Sequence, residues 1–355
     1  MSKNIVLLFD GTWNKPSEFT DPECSTDTNV RRFYASIHKT TAAGQPQDAW
    51  YNQGVGTRWW NTIQGGVFGH GLDEHVVSGY EHLCKVFEPE CKIYLLGFSR
   101  GAYTARSLIG MIRKAGILRT PGQTNLASAY ALYRARGIHP NAPSAQRFRD
   151  LHSYKTEIHF VGVWDTVGAL GIPLGMFKDF NVSEYGFHDT KLSKIVRNAF
   201  HALALDEHRA PYSATLWGPQ TLDDKHQRLE QSWFAGAHAD VGGGYARQPL
   251  SNPPLRWMQQ RALQCGLELD VIPVSPCEHD NEQEHYADIT DSFAHFLGGV
   301  WAATSKRNFR RVGLEDDGPQ RVHWTLADRL EKRNAYRPVN IGLSSCITRG
   351  RIDRD

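Results

Sequence analysis

The sequence predicts an α/β fold with a mostly parallel β-sheet flanked by helices. Short apolar runs rich in β-branched and aromatic residues alternate with stretches of helical periodicity, which is typical of layered α/β proteins. Each run ends in a loop rich in glycine, aspartate, serine or histidine. Because open parallel sheets bind ligands at the carboxyl ends of their strands, we expect these loops to converge on one crevice.

Five strands and three helices are predicted from these patterns. The strands are expected at Asn4–Asp10, Ala49–Gln53, Lys92–Phe98, Glu157–Asp165 and Ser232–His238. The helices, where apolar residues recur at helical spacing, are expected at Asn29–Ile37, Asp73–Val86 and Gly101–Lys114.

A single domain is predicted over residues 1–355. Its catalytic core is expected at about 1–119 and 155–248, with a C-terminal helical region at 321–340. The segments 120–154 and 250–320 are more polar and less periodic. We expect them to be insertions that form a cap over the crevice.

Composition and charge exclude several classes of protein. Hydrophobic residues make up 40% and charged residues 22%, as in soluble globular proteins. The net charge of +2 lacks the basic excess of a nucleic-acid-binding protein. Six scattered cysteines without C-x-x-C spacing indicate neither a zinc site nor a disulfide framework. No secretory signal or membrane-spanning run is visible, so we expect synthesis in the cytoplasm and any export to be independent of an N-terminal signal.

The segment "GFSRG" at residues 97–101 matches the G-x-S-x-G nucleophile elbow of α/β-hydrolases. A predicted strand precedes it and a predicted helix follows it, as that elbow requires. The two glycines permit close packing while Ser99 takes a strained backbone conformation. Ser99 is therefore predicted to be a nucleophile in an α/β-hydrolase-like fold. The alternative is a serine that caps the following helix.

A serine nucleophile needs a base and an acid that orients the base, and in α/β-hydrolases they follow in the order Ser, Asp or Glu, His. Asp165 ends the predicted strand "FVGVWD", and His238 ends "WFAGAH". We predict them to be the acid and the base. The alternatives are an Asx-turn or helix cap for Asp165 and a core histidine for His238.

Other acids and histidines fit these roles less well. His201, His208 and His323 lie in stretches that look helical rather than at strand ends. Asp206 and Asp240 are the rival acids, but Asp240 is only two residues from His238. We expect Asp240 to support the site by bonding the backbone of "VGGG" or by holding a cation.

The oxyanion of an acyl-transfer reaction needs two preorganised N–H donors. One is predicted at the backbone of Arg100, directly after the nucleophile, and the other at Gly11 or Thr12 in the loop "DGTWN". Asp10, just before that loop, is expected to support the site, and a plain turn is the alternative for the loop. A D-x-D-G-T phosphatase is excluded, because Leu8 stands where its nucleophilic aspartate would be.

Six ordered blocks resemble an uncharacterised α/β-hydrolase domain found in type VI secretion phospholipase effectors (type VI lipase effectors of the first class). The blocks are "LLFDGTWN", "YNQGVGT", "GFSRGAYTAR", "FVGVWDTVGALG", "ALALDEHRAPYSATLW" and "WFAGAHADVGGGY". The resemblance implies a triad of Ser99, Asp165 and His238 and the hydrolysis of phospholipid or other carboxylic esters. Large effectors carry a further membrane-docking module, for which we expect 355 residues to leave no room.

Three functions are compatible with these residues: a lipid or phospholipid esterase, a hydrolase of a soluble ester, thioester or amide, and a catalytically silent binding protein. The apolar stretches Leu170–Phe177 and Phe293–Trp301 favour an acyl chain or a membrane surface, with core packing as the alternative. The expected partners are an ester or phospholipid substrate, a membrane surface contacted peripherally, and a secretion or immunity protein, but no nucleic acid. A serine mechanism predicts no cofactor and no metal.

Overall fold

An eight-stranded parallel β-sheet forms the centre of the protein and confirms the predicted α/β-hydrolase-like class. The computed structural model describes residues 3–11, 26–54, 71–167, 191–220, 226–246, 249–272, 284–313, 318–340, 342–348 and 350–353. The strands are β1 Asn4–Phe9, β2 Gln47–Asn52, β3 Lys92–Phe98, β4 Ile117–Leu118, β5 Ser153–Tyr154, β6 Ile158–Trp164, β7 Val196–Ala204, β8 Arg228–Phe234, β9 Gln320–His323 and β10 Ile352–Asp353. The order in the sheet is β10-β9-β8-β7-β6-β3-β1-β2, and β4 and β5 form a separate antiparallel pair.

Helices cover the sheet and fill the connections between strands. They are α1 Asn29–Ser36, α2 Gly71–Val86, α3 Arg100–Ala115, α4 Gln123–Arg134, α5 Pro143–His152, α6 His238–Gly242, α7 Asn252–Gln264, α8 Ser292–His295, α9 Val300–Thr304, α10 Trp324–Lys332 and α11 Leu343–Thr348. The three predicted helices are confirmed as α1, α2 and α3. Among the helices described, none combines the length and the apolar character needed to cross a membrane.

Both faces of the sheet are buried under helices. Because successive side chains of a strand point to opposite sides, alternate residues of one strand belong to different apolar clusters. On one face Leu7 belongs to an apolar cluster with Leu108 of α3. On the other face Leu8 and Phe200 belong to a cluster with Trp257 of α7. The two clusters hold the central strands between two helical layers and so fix their ends relative to one another.

The carboxyl ends of β3, β6, β7 and β8 lie side by side. Phe98 pairs with Trp164, and Trp164 pairs with Ala202, in the parallel register. The chain continues this pairing one residue further, because Ser99 N donates to Trp164 O at 3.1 Å. The loops after these four strands therefore share one edge of the sheet.

All five predicted strands are present, but the prediction misplaces some ends and misses β7, β9 and β10 of the main sheet and the short pair of β4 and β5. β8 ends at Phe234, so His238 does not end a strand; it begins α6. The prediction that His201 and His323 lie in helix-like stretches is wrong, since His201 lies inside β7 and His323 ends β9. β7 reads "VRNAFHALA", in which Arg197, Asn198 and His201 interrupt the apolar residues and only one residue is β-branched, so neither an apolar run nor an alternation marks it as a strand.

The two segments predicted as insertions have different places in the structure. Segment 120–154 forms α4 and α5. Lys114 of α3 fixes the end of α4 by donating to the carbonyl oxygens of Tyr133 and Ala135. Segment 250–320 begins with α7, which belongs to a helical layer on the sheet. Its later part bonds residues at the sheet edge, as Thr290 does with Asp240. The division of the chain into core and cap stays a prediction.

The two glycines of the elbow allow α3 to start against the ends of β1 and β3. A Cβ at Gly101 would lie 2.1 Å from Phe9 O, and a Cβ at Gly97 would lie 2.5 Å from Gly101 O. Both distances are far below contact distance, and the atoms concerned are backbone. Helix and strand can therefore approach this closely only without side chains at these positions.

We expect Gly101→Ala to lower the free energy of unfolding by about 3 kcal/mol, because backbone atoms cannot move aside for the methyl group. Gly110→Ala in the same helix is the matched control, since its Cβ would meet only the Tyr133 ring, at 3.3 Å. That contact is offset by a gain of about 1 kcal/mol in helix propensity. Urea unfolding measures both variants. Equal losses would contradict the close approach.

Candidate active site

Ser99 lies at the sharp turn between β3 and α3, with φ of 58° and ψ of −119°. Residues other than glycine rarely adopt such angles, which cost on the order of 1–3 kcal/mol. The residue is buried, and its side chain makes no capping bond to α3. The alternative of a helix-capping serine is therefore wrong. The turn instead brings Oγ to the ring of His238.

The ring of His238 bonds both of the other predicted catalytic residues. Nε2 lies 2.8 Å from Ser99 Oγ, and Nδ1 lies 2.6 Å from Asp165 Oδ2. A neutral ring satisfies both contacts when Nδ1–H donates to Asp165 and Nε2 accepts from the hydroxyl. The rings of Phe98 and Tyr212 pack on the imidazole at centroid distances of 4.6 and 5.1 Å. The ring is thus held between a hydroxyl, a carboxylate and two aromatic side chains.

Asp165 follows β6 directly and has a positive φ of 39°. Its side chain is completely buried, and Oδ1 accepts a bond from Ala204 N at 3.1 Å. Burial alone would raise the pKa of this carboxyl, but the Arg310 guanidinium and the hydrogen bond from His238 hold it well below its usual range. Asp165 is therefore a carboxylate at any pH near neutrality.

Arg310 is the main residue of the site that the sequence did not reveal. Its Nη1 lies 2.6 Å from Asp165 Oδ1, and its Nη2 lies 3.0 Å from Oδ2. It stands in "SKRNFRRVG", residues 305–313, inside the segment predicted as a cap. Neither periodicity nor a motif distinguishes it from its neighbour Arg311, and only the fold shows that it is buried.

A second buried ion pair lies beside His238. Glu207 Oε2 accepts from Arg209 Nη2 at 2.7 Å, from Ser292 Oγ at 3.0 Å and from His238 N at 3.3 Å. Burial alone would raise the pKa of Glu207, but its bonds and charge interaction with Arg209 lower it. The guanidinium of Arg209 also lies 3.6 Å from the ring centroid of Tyr212. Both residues lie within the block "ALALDEHRAPYSATLW", whose resemblance to the family is the only signal of this pair in the sequence.

The predicted oxyanion donors have different positions. Arg100 is the first residue of α3, where backbone N–H groups have no partner within the helix. Gly11 N instead donates to Asp10 Oδ1 at 2.6 Å, so the expectation of a free donor at Gly11 is wrong in this arrangement. Thr12 lies outside the described residues.

The two supporting aspartates hold loops rather than the reacting groups. Asp10 also accepts bonds from Thr28 Oγ1 and Tyr51 Oη, at 2.7 and 2.5 Å. Asp240 accepts from Ala237 N and from the backbone and hydroxyl of Thr290. Its bonds thus go to Ala237 and Thr290 rather than to the backbone of "VGGG". Within the described part of the chain, His, Cys, Asp and Glu side chains form no group of three suited to a metal ion.

The predicted apolar stretch Phe293–Trp301 forms α8, a 3₁₀ turn at Phe296–Gly299 and the start of α9. The ring of Phe296 packs edge-on against Tyr212 at 5.8 Å, and Tyr212 contacts His238. One side of the site is therefore aromatic. The other predicted apolar stretch, Leu170–Phe177, lies outside the described residues.

The burial of Asp240 predicts a pH-dependent stability. Burial raises the pKa of Asp240 from 3.8 to about 6, so the folded state binds the proton more tightly than the unfolded chain. The wild type therefore loses stability as the pH rises from about 4 through about 6. Relative to the wild type, Asp240→Asn should gain roughly 2 to 3 kcal/mol over that range. Urea unfolding at several pH values tests this, and a pH-independent difference would contradict it.

Three known proteins similar to this chain are each longer than it. The chain is 28% identical over 243 residues to the uncharacterized protein YEL023C of Saccharomyces cerevisiae, covering 61% of this chain and 33% of that protein. An uncharacterized protein from Pseudomonas aeruginosa matches at 18% identity and a TM-score of 0.43, covering 86% of this chain and 51% of its own. The Tle1 effector bound to the VgrG spike from the type VI secretion system matches at 20% identity and a TM-score of 0.35. The match covers 69% of this chain and 51% of the effector chain. The chain thus spans about a third of the yeast protein and about half of each of these structures.

The family model for the catalytic domain of Tle1-like phospholipase effectors of the type VI secretion system matches residues 3–261. The match covers most of the chain and includes the positions of Ser99, Asp165 and His238, whereas Arg310 lies beyond it. It confirms the resemblance carried by the six sequence blocks. The chain belongs to the family of Tle1-like catalytic domains of type VI secretion phospholipase effectors.

Proposed function

We propose that the protein is a serine hydrolase of carboxylic esters, with Ser99 as nucleophile, His238 as base and Asp165 as the acid that orients the base. The observation that carries this proposal is the unbroken hydrogen-bond chain from Ser99 Oγ through both ring nitrogens of His238 to Asp165. A nucleophile in reach of a base that a third group orients is the signature of covalent acyl transfer. Membership of a phospholipase effector family supports the same reaction class.

In the first half of the proposed reaction, Ser99 Oγ attacks the ester carbonyl carbon while His238 Nε2 takes the hydroxyl proton. The negative charge that develops on the carbonyl oxygen meets the N–H of Arg100 at the start of α3. Thr12 remains the predicted source of a second donor. Asp165 stabilises the imidazolium, which then protonates the leaving alcohol as the ester C–O bond breaks.

In the second half, water cleaves the acyl-enzyme. His238 Nε2 takes a proton from the water as its oxygen attacks the acyl carbon. The second tetrahedral intermediate collapses, and the proton on His238 returns to Ser99 Oγ. The products are an alcohol and a carboxylic acid, which releases its proton to solvent, so side chains alone supply the acid and base steps.

Lipid esters, phospholipids among them, are the proposed substrates. Family membership supports this choice, and so does the aromatic side of the site formed by Phe98, Tyr212 and Phe296. Such a wall suits an acyl chain, because apolar surface drives most of the binding of apolar ligands.

The proposed context is a single hydrolase domain with a cap from part of residues 250–320. Family membership supports delivery by a type VI secretion system, with a secretion or immunity protein as partner and peripheral contact with a membrane. Under this proposal the protein is made in the cytoplasm and delivered by that secretion system.

Ser99→Ala and His238→Ala are expected to lower kcat by about 10⁴-fold or more while the protein stays folded, because each removes a reacting group. Asp165→Asn should lower kcat by about 10³- to 10⁴-fold, because an amide fails to hold the required tautomer of His238. Asp240→Asn is the matched control and should leave turnover of p-nitrophenyl butyrate in the wild-type range. If fluorophosphonate labels the Ser99→Ala variant as well as the wild type, the assignment of Ser99 as the nucleophile is refuted.

The lipid substrate is tested by comparing phosphatidylcholine vesicles with p-nitrophenyl butyrate. We expect fatty-acid release from the vesicles, because the aromatic wall binds long acyl chains. This release should disappear in Ser99→Ala, which lacks the nucleophile. Turnover of the short soluble ester with no release from vesicles would make the protein a soluble esterase instead. Mass spectrometry of the released acid identifies the ester bond that is cleaved.

A further inference from the structure

We propose that Arg310 is a positioning residue of this site: its guanidinium fixes the orientation of the Asp165 carboxylate and balances its charge, so that the carboxylate holds the His238 ring in place to accept the proton of Ser99. This inference rests on the proposed serine-hydrolase function. It concerns a residue beyond positions 3–261, which the family model matches.

The guanidinium of Arg310 meets the carboxylate of Asp165 as a two-pronged fork. Nη1 donates to Oδ1 at 2.6 Å, and Nη2 donates to Oδ2 at 3.0 Å. The same two nitrogens also donate to the carbonyl oxygens of Ala204, at 2.6 Å, and Tyr212. Arg310 is thereby anchored to the end of β7 and to the turn at Ala210–Tyr212. Such paired bonds carry geometric specificity that a single ammonium cannot supply.

The fork matters because Asp165 must present one oxygen to His238 in a fixed direction. Its Oδ2 receives both His238 Nδ1 and Arg310 Nη2, while Oδ1 receives Ala204 N and Arg310 Nη1. Four donors thus fix the plane of the carboxylate. Its backbone has a positive φ of 39°, a conformation that must be stabilised by the surroundings. Without Arg310, two of the four bonds are lost and the carboxylate can rotate.

Charge balance is the second part of the inference. The charged groups near the imidazole come from separate elements: Asp165 after β6, Glu207 and Arg209 after β7, and Arg310 from residues 305–313. Among themselves, these two carboxylates and two guanidinium groups carry a net charge of zero. The Tyr212 ring on the 3₁₀ turn and the Ser99 hydroxyl complete the surroundings.

Within α6 itself, Asp240 is held by Ala237 and Thr290 rather than by the imidazole. Removing Arg310 therefore makes the sum over the four charged groups more negative by one. Such a change favours the imidazolium, and a protonated His238 cannot act as a base. The enzyme would then lose activity on the acidic side of its pH profile at a higher pH than the wild type does.

Arg310→Gln tests the inference, with Arg261→Gln as the matched control. Arg261 is also a buried arginine, but it bonds Glu230 and Asp353. The rate of inactivation by a fluorophosphonate and kcat/KM for p-nitrophenyl butyrate are measured from about pH 5 to about pH 9. We expect the acidic limb of both profiles to move up by about one pH unit in Arg310→Gln and to stay in place in Arg261→Gln.

Arg310→Lys separates charge from geometry. A lysine keeps the positive charge but not the fork, so the acidic limb should stay near the wild-type pH while kcat falls by about 10-fold with little change in KM. A wild-type kcat in this variant, or a change in KM alone, would overturn the positioning role. If Arg310→Gln fails to fold, as judged by circular dichroism, this comparison decides the question.

The outcomes distinguish the two proposals. A wild type that shows no Ser99-dependent labelling refutes the hydrolase itself. A reactive wild type with an unmoved acidic limb in folded Arg310→Gln, or an equal shift in Arg261→Gln, refutes only the role of Arg310. Adding Arg310→Gln to Asp165→Asn should cost no further rate, because Arg310 acts through Asp165. A full additional loss in that background would also overturn the role.

Discussion

The carboxylate of Asp165 is completely removed from water, and the arrangement of the site follows from that constraint. A buried charge without partners would cost more than the whole net stability of an ordinary domain. The protein meets this cost with donors from separate parts of the chain: the His238 ring, the Ala204 backbone and the Arg310 fork. If one donor is missing, the bonds from the others no longer offset the cost of burying the carboxylate. The ends of β6 and β7, the start of α6 and residues 305–313 are therefore fixed together.

The ion pair of Glu207 and Arg209 extends this arrangement under the backbone of His238. Two pairs of opposite charges thus lie near the imidazole. A proton that moves from Ser99 to His238 redistributes charge within the site and leaves the total charge of the site unchanged. A preorganised polar surrounding of this kind needs no rearrangement of water when charge develops. The aromatic rings of Phe98 and Tyr212 exclude solvent from the same space.

The unit of strand, serine and helix could be predicted because its sequence constraints are local. Two glycines, an apolar run and a helical repeat lie within a short stretch around Ser99. β7 could not be predicted, because Arg197, Asn198 and His201 interrupt its apolar residues and it contains a single β-branched residue, so it shows neither an apolar run nor alternation. Arg310 could not be predicted either, since its role depends on a partner 145 residues away and arginine is common on surfaces. The engagement of Gly11 with Asp10 is a side-chain conformation that sequence patterns do not encode.

The long separation of these partners also affects how the molecule is made. Ser99 and His238 are 139 residues apart, and Asp165 and Arg310 are 145 apart, so the contacts of the site close large loops of chain. Such contacts form slowly, after local structure. On the ribosome, the serine, the acid and the base all emerge before the arginine that neutralises the acid. A nascent chain that has reached α6 still lacks Arg310, so Asp165 cannot yet be buried together with its counter-charge. The reactive serine therefore acquires its full surroundings only late in synthesis.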